Sequence, residues 1–389
     1  MKDFNKIVNR RGTNSLKWDV ADNELPMWVG DMDFKTADCV TEAIVSKAKS
    51  GVFGYQIVPD KWYEAIINWW KNRHGLTIHK DWLCFCTGVV PAITSSIKRL
   101  TNVGDNVVVM TPVYNIFFNS IENTGRHSLE CPLAYDDGEY GIDFDDLEAK
   151  LALPTTTMLL LCNPHNPAGK VWSREELTKV AKLCAKHGIA VFSDEIHCDL
   201  TAPNVNYIPF AAVAGECKVD FLTAISASKA FNLAGLQAAA VFIPDGHIRA
   251  KVVRGLNSDE LAEPNAFAIE ATIAAFSDEG AEWLDGLREH IVNNKSITAE
   301  YLKKNLPMIK PIEQNATYLM WLDCSAITDD AATLCNFIRA NTGLYVSCGN
   351  IFRGNGKYFI RLNVACPQST LKDGLNRLQQ GIELYINNK

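Results

Sequence analysis

The sequence lacks the patterns that mark membrane, secreted and nucleic-acid-binding proteins. No apolar run approaches the roughly 20 residues of a membrane span, and the first 20 residues contain no apolar core of signal-peptide length. The net charge of -7 gives no electrostatic reason to expect nucleic acid or an anionic membrane as a partner. We therefore expect a cytoplasmic protein that binds neither.

Linkers and repeats are also missing. The chain has no low-complexity tract and no long stretch rich in Pro, Gly or Ser, while 47% of its 389 residues are hydrophobic and 21% are charged. Such a composition predicts an ordinary globular protein with a sizeable core, long enough for two or three domains. No GxGxxG motif follows a predicted strand, so a nicotinamide dehydrogenase is disfavoured.

Cysteine is plentiful, with twelve residues, but it forms no CxxC pair. Cys84 and Cys86 alternate in a predicted strand, and the other cysteines are scattered through apolar segments, as is usual for buried thiols. His165, His197 and Cys198 have a spacing that matches no usual zinc pattern. We predict no metal site.

The stretch Phe221–Gln237 is the most informative in the chain. Its first seven residues are apolar or small apart from Thr223 and Ser226, which predicts a strand buried on both faces of a parallel sheet. Lys229 follows directly after this strand. Desolvation would lower the pKa of such a lysine towards the neutral amine that attacks carbonyl groups, whereas the alternative is a surface lysine at a turn.

Polar residues also follow two earlier predicted strands. Asn166 lies in the turn NPHNPAG after a buried strand, and Asp194 ends the strand of IAVFSDEIH. Between them, Ser173 and Glu176 form a capping box that opens a helix. Strands separated by helices, with polar groups at the strand ends, predict an open α/β sheet whose ligand lies at its carboxyl edge. Asn166, Asp194 and Lys229 are expected to meet there.

Four further positions are candidates for contacts with a ligand or a neighbouring chain. Gly88, in the turn before a predicted helix, is a candidate for a phosphate cradle, although one glycine is a weak signal. Tyr114 either stacks on a planar ligand or belongs to the core. Tyr55, in a glycine-flanked loop, can reach outward to a neighbour. Arg361, alternating with apolar residues in a predicted strand, is either an edge charge or an anion clamp.

The predicted domain boundaries follow changes in pattern along the chain. Residues 1–45 are predicted to form an N-terminal arm and part of a small domain, residues 46–275 a large ligand-binding domain, and residues 276–389 a small C-terminal domain. The last region begins with amphipathic helices, including Glu282 to about Lys304, and continues with strands from Thr317 and Lys357.

Several motifs together resemble the pyridoxal-phosphate enzymes of the aspartate aminotransferase fold. The motifs, in chain order, are WVGDMDF, TGVVPAI, CNPHNPAGKVW, SDEIHCDL, SKAFNLAGL and FIRLNVACP. They are specifically similar to the MalY/PatB type of cystathionine β-lyase, within the class I/II aminotransferase superfamily. The resemblance spans nearly the whole chain and implies an α/β protein of fold type I, in which a large domain with a mostly parallel sheet flanked by helices is joined to a smaller α+β domain.

The resemblance also implies roles around pyridoxal 5'-phosphate. Lys229 would form the Schiff base, Asp194 would pair with the pyridine nitrogen, and Asn166 would donate to the phenolic oxygen and contact the substrate. His197 stands where many relatives have a tyrosine. Tyr114 would stack on the ring and belong to the catalytic group with Lys229 and Asp194.

The remaining implied contacts concern phosphate, substrate and partner. The phosphate would bind the backbone at Gly88, Val89 and Val90 and the side chains of Ser226 and Ser228. Arg361 would clamp the substrate α-carboxylate, beside the segment of Trp28 to Asp31 that includes Gly30. Tyr55 would reach the active site of a neighbouring subunit, which implies a homodimer.

The activity implied is α,β-elimination from cystathionine or another amino-acid thioether, giving pyruvate, ammonia and a thiol. An aminotransferase using the same residues is the nearest alternative, and a relative with a regulatory protein-binding role is another. Three features depart from the family pattern. Gly30 replaces the usual alanine, Ser347 and Cys348 replace a proline-containing turn, and Arg353 replaces a glycine, adding either a cation at the pocket mouth or a solvated surface arginine.

Overall fold

The computed structural model describes residues 3–388. The strands are β1 Leu25–Pro26, β2 Leu83–Cys86, β3 Asn106–Thr111, β4 His127–Pro132, β5 Ala134–Asp136, β6 Glu139–Gly141, β7 Thr156–Cys162, β8 Ala190–Asp194, β9 Phe221–Ile225, β10 Ala239–Phe242, β11 Lys310–Pro311, β12 Leu319–Asp323, β13 Leu344–Tyr345, β14 Ser347–Cys348 and β15 Phe359–Asn363. The helices are α1 Asp38–Lys49, α2 Asp60–His74, α3 Val89–Leu100, α4 Ile116–Glu122, α5 Phe144–Leu151, α6 Arg174–His187, α7 Ala211–Cys217, α8 Ala227–Ala230, α9 Gly246–Ser258, α10 Ala268–Ala275, α11 Asp278–Asn305, α12 Ala331–Thr342 and α13 Gln368–Asn387.

A seven-stranded sheet forms the larger part of the molecule, in the order β2, β10, β9, β8, β7, β3, β4. Strands β9, β8, β7, β3 and β4 run parallel, and β10 runs antiparallel to both of its neighbours. The central strands are nearly continuous apolar runs because helices cover both faces of the sheet. All five residues of β9 are buried, as the sequence predicts.

The two faces of this sheet belong to different apolar clusters. In β3, Val108 and Met110 pack into a cluster that includes Trp62 of α2, while Val107 packs with Ile93 of α3 on the other face. This alternation follows from the two-residue period of a strand. The predicted mostly parallel sheet flanked by helices is therefore confirmed.

A smaller antiparallel sheet has the order β11, β12, β15, β14. One apolar cluster joins it to α12 and α13 and also includes Leu25 and Met27 of the N-terminal segment. Strand β1 pairs in parallel with β13, so the N-terminal segment returns to this region. The boundaries at residues 45 and 275 stay predictions.

Local signals placed the helices well. Helix α6 begins after Ser173, which forms the predicted capping box with Glu176. Helix α11 starts at Asp278, four residues earlier than the start predicted at Glu282, because Ser277 caps it by accepting a hydrogen bond from the Gly280 N–H. Within residues 3–388, no helix is both long and apolar enough to cross a membrane.

Candidate active site

A cavity of about 370 Å³ lies at the carboxyl ends of β7, β8 and β9, the sheet edge where the sequence predicts a ligand. Eleven predicted site residues line it: Gly30, Gly88, Val89, Val90, Tyr114, Asn166, Asp194, His197, Ser228, Lys229 and Arg361. Ser226 and Tyr55 do not line it.

Lys229 lies in α8, just after β9, and its side chain crosses the cavity. The Nζ atom donates a hydrogen bond to the Gly30 carbonyl oxygen at 2.9 Å. Burial and the nearby positive charge of Arg361 lower the pKa of Lys229, while Asp31 and Asp194 oppose that shift. The amine is thus more easily neutral than an exposed lysine, as a nucleophile requires.

Asp194 ends β8 and is 5% exposed. One carboxylate oxygen accepts the Ile196 N–H at 3.1 Å, and no lysine or arginine within residues 3–388 forms an ion pair with it. Burial raises the pKa of Asp194 to about 6. A buried carboxylate without a cation is suited to a protonated nitrogen supplied by a ligand.

His197 and Tyr114 form part of the cavity wall around Asp194. The Nδ1 atom of His197 is buried and lacks a hydrogen-bond partner, and burial lowers the pKa of this histidine to about 3, so the ring is neutral. Tyr114 packs edge to face with Phe117, and burial raises the pKa of its hydroxyl. A neutral ring and a tyrosine are compatible with a flat aromatic ligand.

The N-terminus of α3 forms one end of the cavity. Gly88 precedes this twelve-residue helix with φ 153°, and a Cβ there would lie 3.2 Å from Cδ of Pro91. Val89 and Val90 begin the helix, where backbone N–H groups lack partners within the helix and attract anions. Ser228 lines the cavity as well.

Ser226 lies outside the cavity. Its hydroxyl donates to the Ala238 carbonyl oxygen at 2.6 Å and accepts the Ser228 N–H at 3.0 Å, which caps α8. The hydroxyl is therefore engaged in holding the turn between β9 and the lysine. The predicted phosphate contact of Ser226 stays a prediction with no support from this placement.

Arg361 is not an edge charge, because β15 lies between β12 and β14. Its guanidinium donates to Asn166 Oδ1 at 3.3 Å and to the Trp28 carbonyl oxygen at 3.2 Å, and its buried Nε finds no partner among residues 3–388. Burial lowers the pKa of Arg361 to about 10. A buried cation that contacts only neutral groups favours the anion-clamp alternative.

Gly30 leaves room beside the lysine. An added Cβ would lie 3.3 Å from Lys229 Nζ, closer than most Cβ contacts, and at an ordinary 3.9 Å from Leu319 Cδ1. The alanine that the family pattern shows would thus crowd the amine. Trp28 and Val29 line the cavity with Gly30, whereas the Asp31 carboxylate turns away to pair with Arg10.

Sequence reasoning missed several lining residues, among them Ile116, Gln237, Leu319, Ser347 and Ile351. Ser347, identified in the sequence only as a departure, donates to the Trp28 carbonyl oxygen at 2.7 Å beside Arg361. The only signal was its departure from the family pattern, because no local pattern reveals that Ser347 pairs with Arg361 in β15.

Arg353 does not line the cavity. Its guanidinium lies 3.8 Å from the Phe118 ring centre and pairs with Glu122 at 2.8 Å and Glu130 at 3.4 Å. This placement favours the surface alternative over an added cation at the pocket mouth. The backbone at Arg353, with φ 57° and ψ -160°, explains why a glycine suits this position.

The histidines and cysteines considered for zinc do not form a site together. Among the described residues, the side chains that lie close enough to share a metal ion are His74, Cys198 and Asp199. Of these, His74 and Asp199 are joined by a hydrogen bond of 2.9 Å. The prediction of no metal site stays a prediction.

Comparisons with known proteins agree with this geometry. Residues 23–378 match the family model "Aminotransferase class I and II". The chain is 41% identical to cystathionine beta-lyase PatB of Bacillus subtilis, over 98% of this chain and 100% of that protein, and 34% identical to protein MalY of Escherichia coli, over 98% and 99%. Among solved structures, cystalysin of Treponema denticola, which contains pyridoxal 5'-phosphate, aligns with a TM-score of 0.95 and 31% identity over 98% of this chain and 99% of that one. The resemblance inferred from the sequence motifs is confirmed, and the chain belongs to the class I and II aminotransferase family.

Proposed function

We propose that this protein is a pyridoxal-phosphate-dependent carbon-sulfur lyase acting on cystathionine or a related S-substituted cysteine. One observation carries the proposal most directly: a half-buried lysine, a buried carboxylate and a buried arginine line one cavity, and none of the three forms an ion pair within residues 3–388. Relatives named cystathionine beta-lyase over the full chain length support this choice of reaction.

Each chemical group of the cofactor has a candidate partner among the residues that line the cavity. Pyridoxal phosphate, when bound, supplies an aldehyde that condenses with amines and a protonated ring that withdraws electrons from the substrate α-carbon. Asp194 would hold the ring proton, because a carboxylate beside the nitrogen favours its protonated form. Gly88 and the start of α3, with Ser228, would hold the phosphate.

The remaining groups act on the ring face and on the substrate. Tyr114 would stack on the cofactor ring, and Asn166 would donate to its phenolic oxygen while its Oδ1 orients Arg361. Arg361 would bind the substrate α-carboxylate through its guanidinium. His197, neutral at physiological pH, adds no charge near the ring.

Lys229 would hold and move the proton. As a neutral amine it accepts the proton from the substrate α-carbon, and the Gly30 carbonyl orients its Nζ. The electron pair left at the α-carbon forms the α,β double bond as the β carbon-sulfur bond breaks. The sulfur leaves as a thiol, and water hydrolyses the remaining fragment to pyruvate and ammonia. The overall reaction is therefore thioether plus water giving pyruvate, ammonia and the thiol.

We also propose that the protein works as a homodimer. Tyr55 is 97% exposed, in a loop that also exposes Val52, Phe53 and Ile57. An apolar loop of this kind is typical of a surface that another subunit covers. Tyr55 would then reach the cavity of the partner subunit, since it does not line the cavity of its own.

The test is to incubate purified, cofactor-loaded protein with cystathionine and to measure pyruvate and free thiol in the same samples. Equal amounts of both, with the cofactor spectrum restored afterwards, are expected. The Lys229→Ala variant should lose at least about 100-fold in rate, while Lys98→Ala, which removes an exposed lysine paired with Asp259, should leave the rate unchanged.

Amino transfer is the competing outcome for the same cavity. Conversion of the cofactor to its amine form without pyruvate, followed by recovery on addition of a keto acid, would establish an aminotransferase. Full lyase activity in Lys229→Ala would contradict every role given to this lysine.

A further inference from the structure

Residues Trp28, Val29 and Gly30 form the wall of the cavity that faces Lys229. Hydrogen bonds from two sides hold this wall and the residues up to Asp33 that follow it. On one side lies the small sheet. Asn363 donates from Nδ2 to the carbonyl oxygens of Val29 at 2.6 Å and Asp31 at 2.8 Å. These bonds hold the backbone on both sides of Gly30, whose carbonyl oxygen accepts the lysine hydrogen bond.

The other side is formed by the N-terminal segment. Arg10 presents both guanidinium nitrogens to both oxygens of Asp31, at 2.8 Å each, and donates to the Met32 carbonyl oxygen at 2.8 Å. Ser15 accepts from the same guanidinium at 2.9 Å. A bidentate fork of this kind fixes direction as well as distance.

Asp33 is held mainly by a different cation, and Arg10 reaches one of its carboxylate oxygens only at 3.5 Å. Lys17 is 1% exposed, and its Nζ donates to Asp33 at 2.9 Å and to the Asp31 carbonyl oxygen at 3.0 Å. Trp18 donates to the same carboxylate at 2.8 Å. Arg10 is therefore the main cation on Asp31, and it touches no residue that we assign to cofactor or substrate binding.

The charge of Asp31 acts on Lys229. The lysine amine interacts through space with the charges of Arg361, Asp31 and Asp194. Its own charge acts on His197, and the Tyr318 hydroxyl lies near Gly30. Asp31 raises the pKa of Lys229, against burial and Arg361, which lower it. Pairing with Arg10 offsets part of the field of this carboxylate.

We infer that Arg10 is a positioning residue of the active site, which acts through Asp31 to hold the Gly30 carbonyl against Lys229 and to set the charge that the lysine experiences. This inference rests on the proposed function, in which Lys229 carries the cofactor. Arg10 lies 219 positions from Lys229 in sequence, so only the folded chain brings them into one network.

The test compares four variants by titrating the visible absorption of the cofactor-loaded protein with pH. Arg10→Gln should raise the midpoint by about half a pH unit or more, because the Asp31 carboxylate is then unpaired. Asp31→Asn should lower it by a similar amount. The double variant should return close to the wild-type midpoint, and Arg11→Gln, which removes a neighbouring arginine bound to the Glu24 carbonyl oxygen, should not shift it.

A second readout does not need the cofactor. Reductive methylation of Lys229 in cofactor-free protein, followed by mass spectrometry of the peptide across pH, should give midpoint shifts of the same signs. Opposite shifts in the two single variants support the inference. Shifts of the same sign, or none, overturn it, since a purely structural role would weaken both variants alike.

The two readouts also separate this inference from the proposed function. Wild-type protein that takes up no pyridoxal phosphate would contradict the proposed function, and the methylation midpoints would still decide the role of Arg10. Loaded protein with normal lyase activity but unshifted midpoints would contradict the role of Arg10 alone.

Discussion

Arg361 donates a hydrogen bond to Asn166 Oδ1 at 3.3 Å, and the two residues come from different sheets. Arg361 lies in β15 of the small sheet, and Asn166 follows β7 of the large sheet. The proposed carboxylate clamp and the proposed cofactor contact are thus one connected unit. Substrate binding at Arg361 and orientation of the cofactor at Asn166 should therefore be coupled.

Replacing Arg361 by lysine should show this coupling. Lysine keeps the charge but loses the planar fork that spans Asn166 and the Trp28 carbonyl, so kcat/KM should fall about 10- to 100-fold. Steady-state kinetics with cystathionine measure the change. Arg353→Lys is the matched control, and an equal loss in that variant would show that the effect is not specific to the cavity.

Asp194→Asn should lower lyase activity and raise the stability of the cofactor-free protein. The folded pKa of about 6 lies above the usual 3.8, so the folded state binds more protons and its free energy of unfolding falls as pH rises from about 4 to 6. At pH 7 this carboxylate costs the cofactor-free protein about 3 kcal/mol. The cofactor-free variant should therefore unfold at a higher temperature than wild type.

The advantage should shrink as the pH falls below 6, because the folded wild-type protein then increasingly carries a neutral group at this position, and it should vanish below about pH 3.8. Thermal unfolding of the two proteins at pH 4.5 and pH 7.5 measures the difference, and lyase assays of the loaded variant measure the accompanying loss of activity. An advantage independent of pH would show that the ionised carboxylate is not its source.

Alanine variants of the two serines near Lys229 should distinguish an effect on cofactor affinity from an effect on the stability of the fold. Ser228→Ala removes a hydroxyl that lines the cavity, so pyridoxal phosphate affinity should fall about tenfold, with little change in the free energy of unfolding. Ser226→Ala removes the hydrogen bond to Ala238 and the cap of α8, so it should destabilise the protein by about 1 kcal/mol. Cofactor titration and denaturant unfolding of both variants test the pair.

Tyr55 provides a test of the shared active site. Tyr55→Ala and Lys229→Ala homodimers should each be impaired, but a mixed dimer contains one complete site. That site has the lysine of the Tyr55→Ala subunit and the tyrosine of its partner. Co-expression with two affinity tags, followed by assay of the doubly purified species, should recover up to about half of the wild-type rate. No recovery in a stable mixed dimer would contradict the arrangement.

Arg353 should have no influence on substrate choice. Its guanidinium pairs with Glu122 and Glu130 over Phe118, away from the cavity lining. Arg353→Ala should leave the ratio of kcat/KM for cystathionine and S-methylcysteine unchanged within about twofold, because two carboxylates and solvent screen this charge. A selective loss of cystathionine turnover would instead support the interpretation that Arg353 acts at the pocket mouth.

Local signals in the sequence determined the elements and the central chemistry. Apolar runs predicted β7, β8 and β9, and the capping box predicted the start of α6. The polar residues that end or follow these strands are Asn166, Asp194 and Lys229. Parallel strands bring their carboxyl ends to one edge, so this part of the site follows from chain order and strand direction. Family motifs extended the prediction to Gly88, Tyr114 and Arg361.

Tertiary structure alone decided which neighbouring side chains face the cavity. Ser226 and Ser228 are two residues apart, yet the first caps α8 and the second lines the site, because the chain turns from strand to helix between them. Arg353 turns away since acids on α4 and β4 attract it. Ser347 reaches the site by bonding to Trp28, which is 319 positions away in sequence. Arg10 reaches it by pairing with Asp31, which is 21 positions away. Local periodicity has no information about such contacts, because they depend on how separate elements pack.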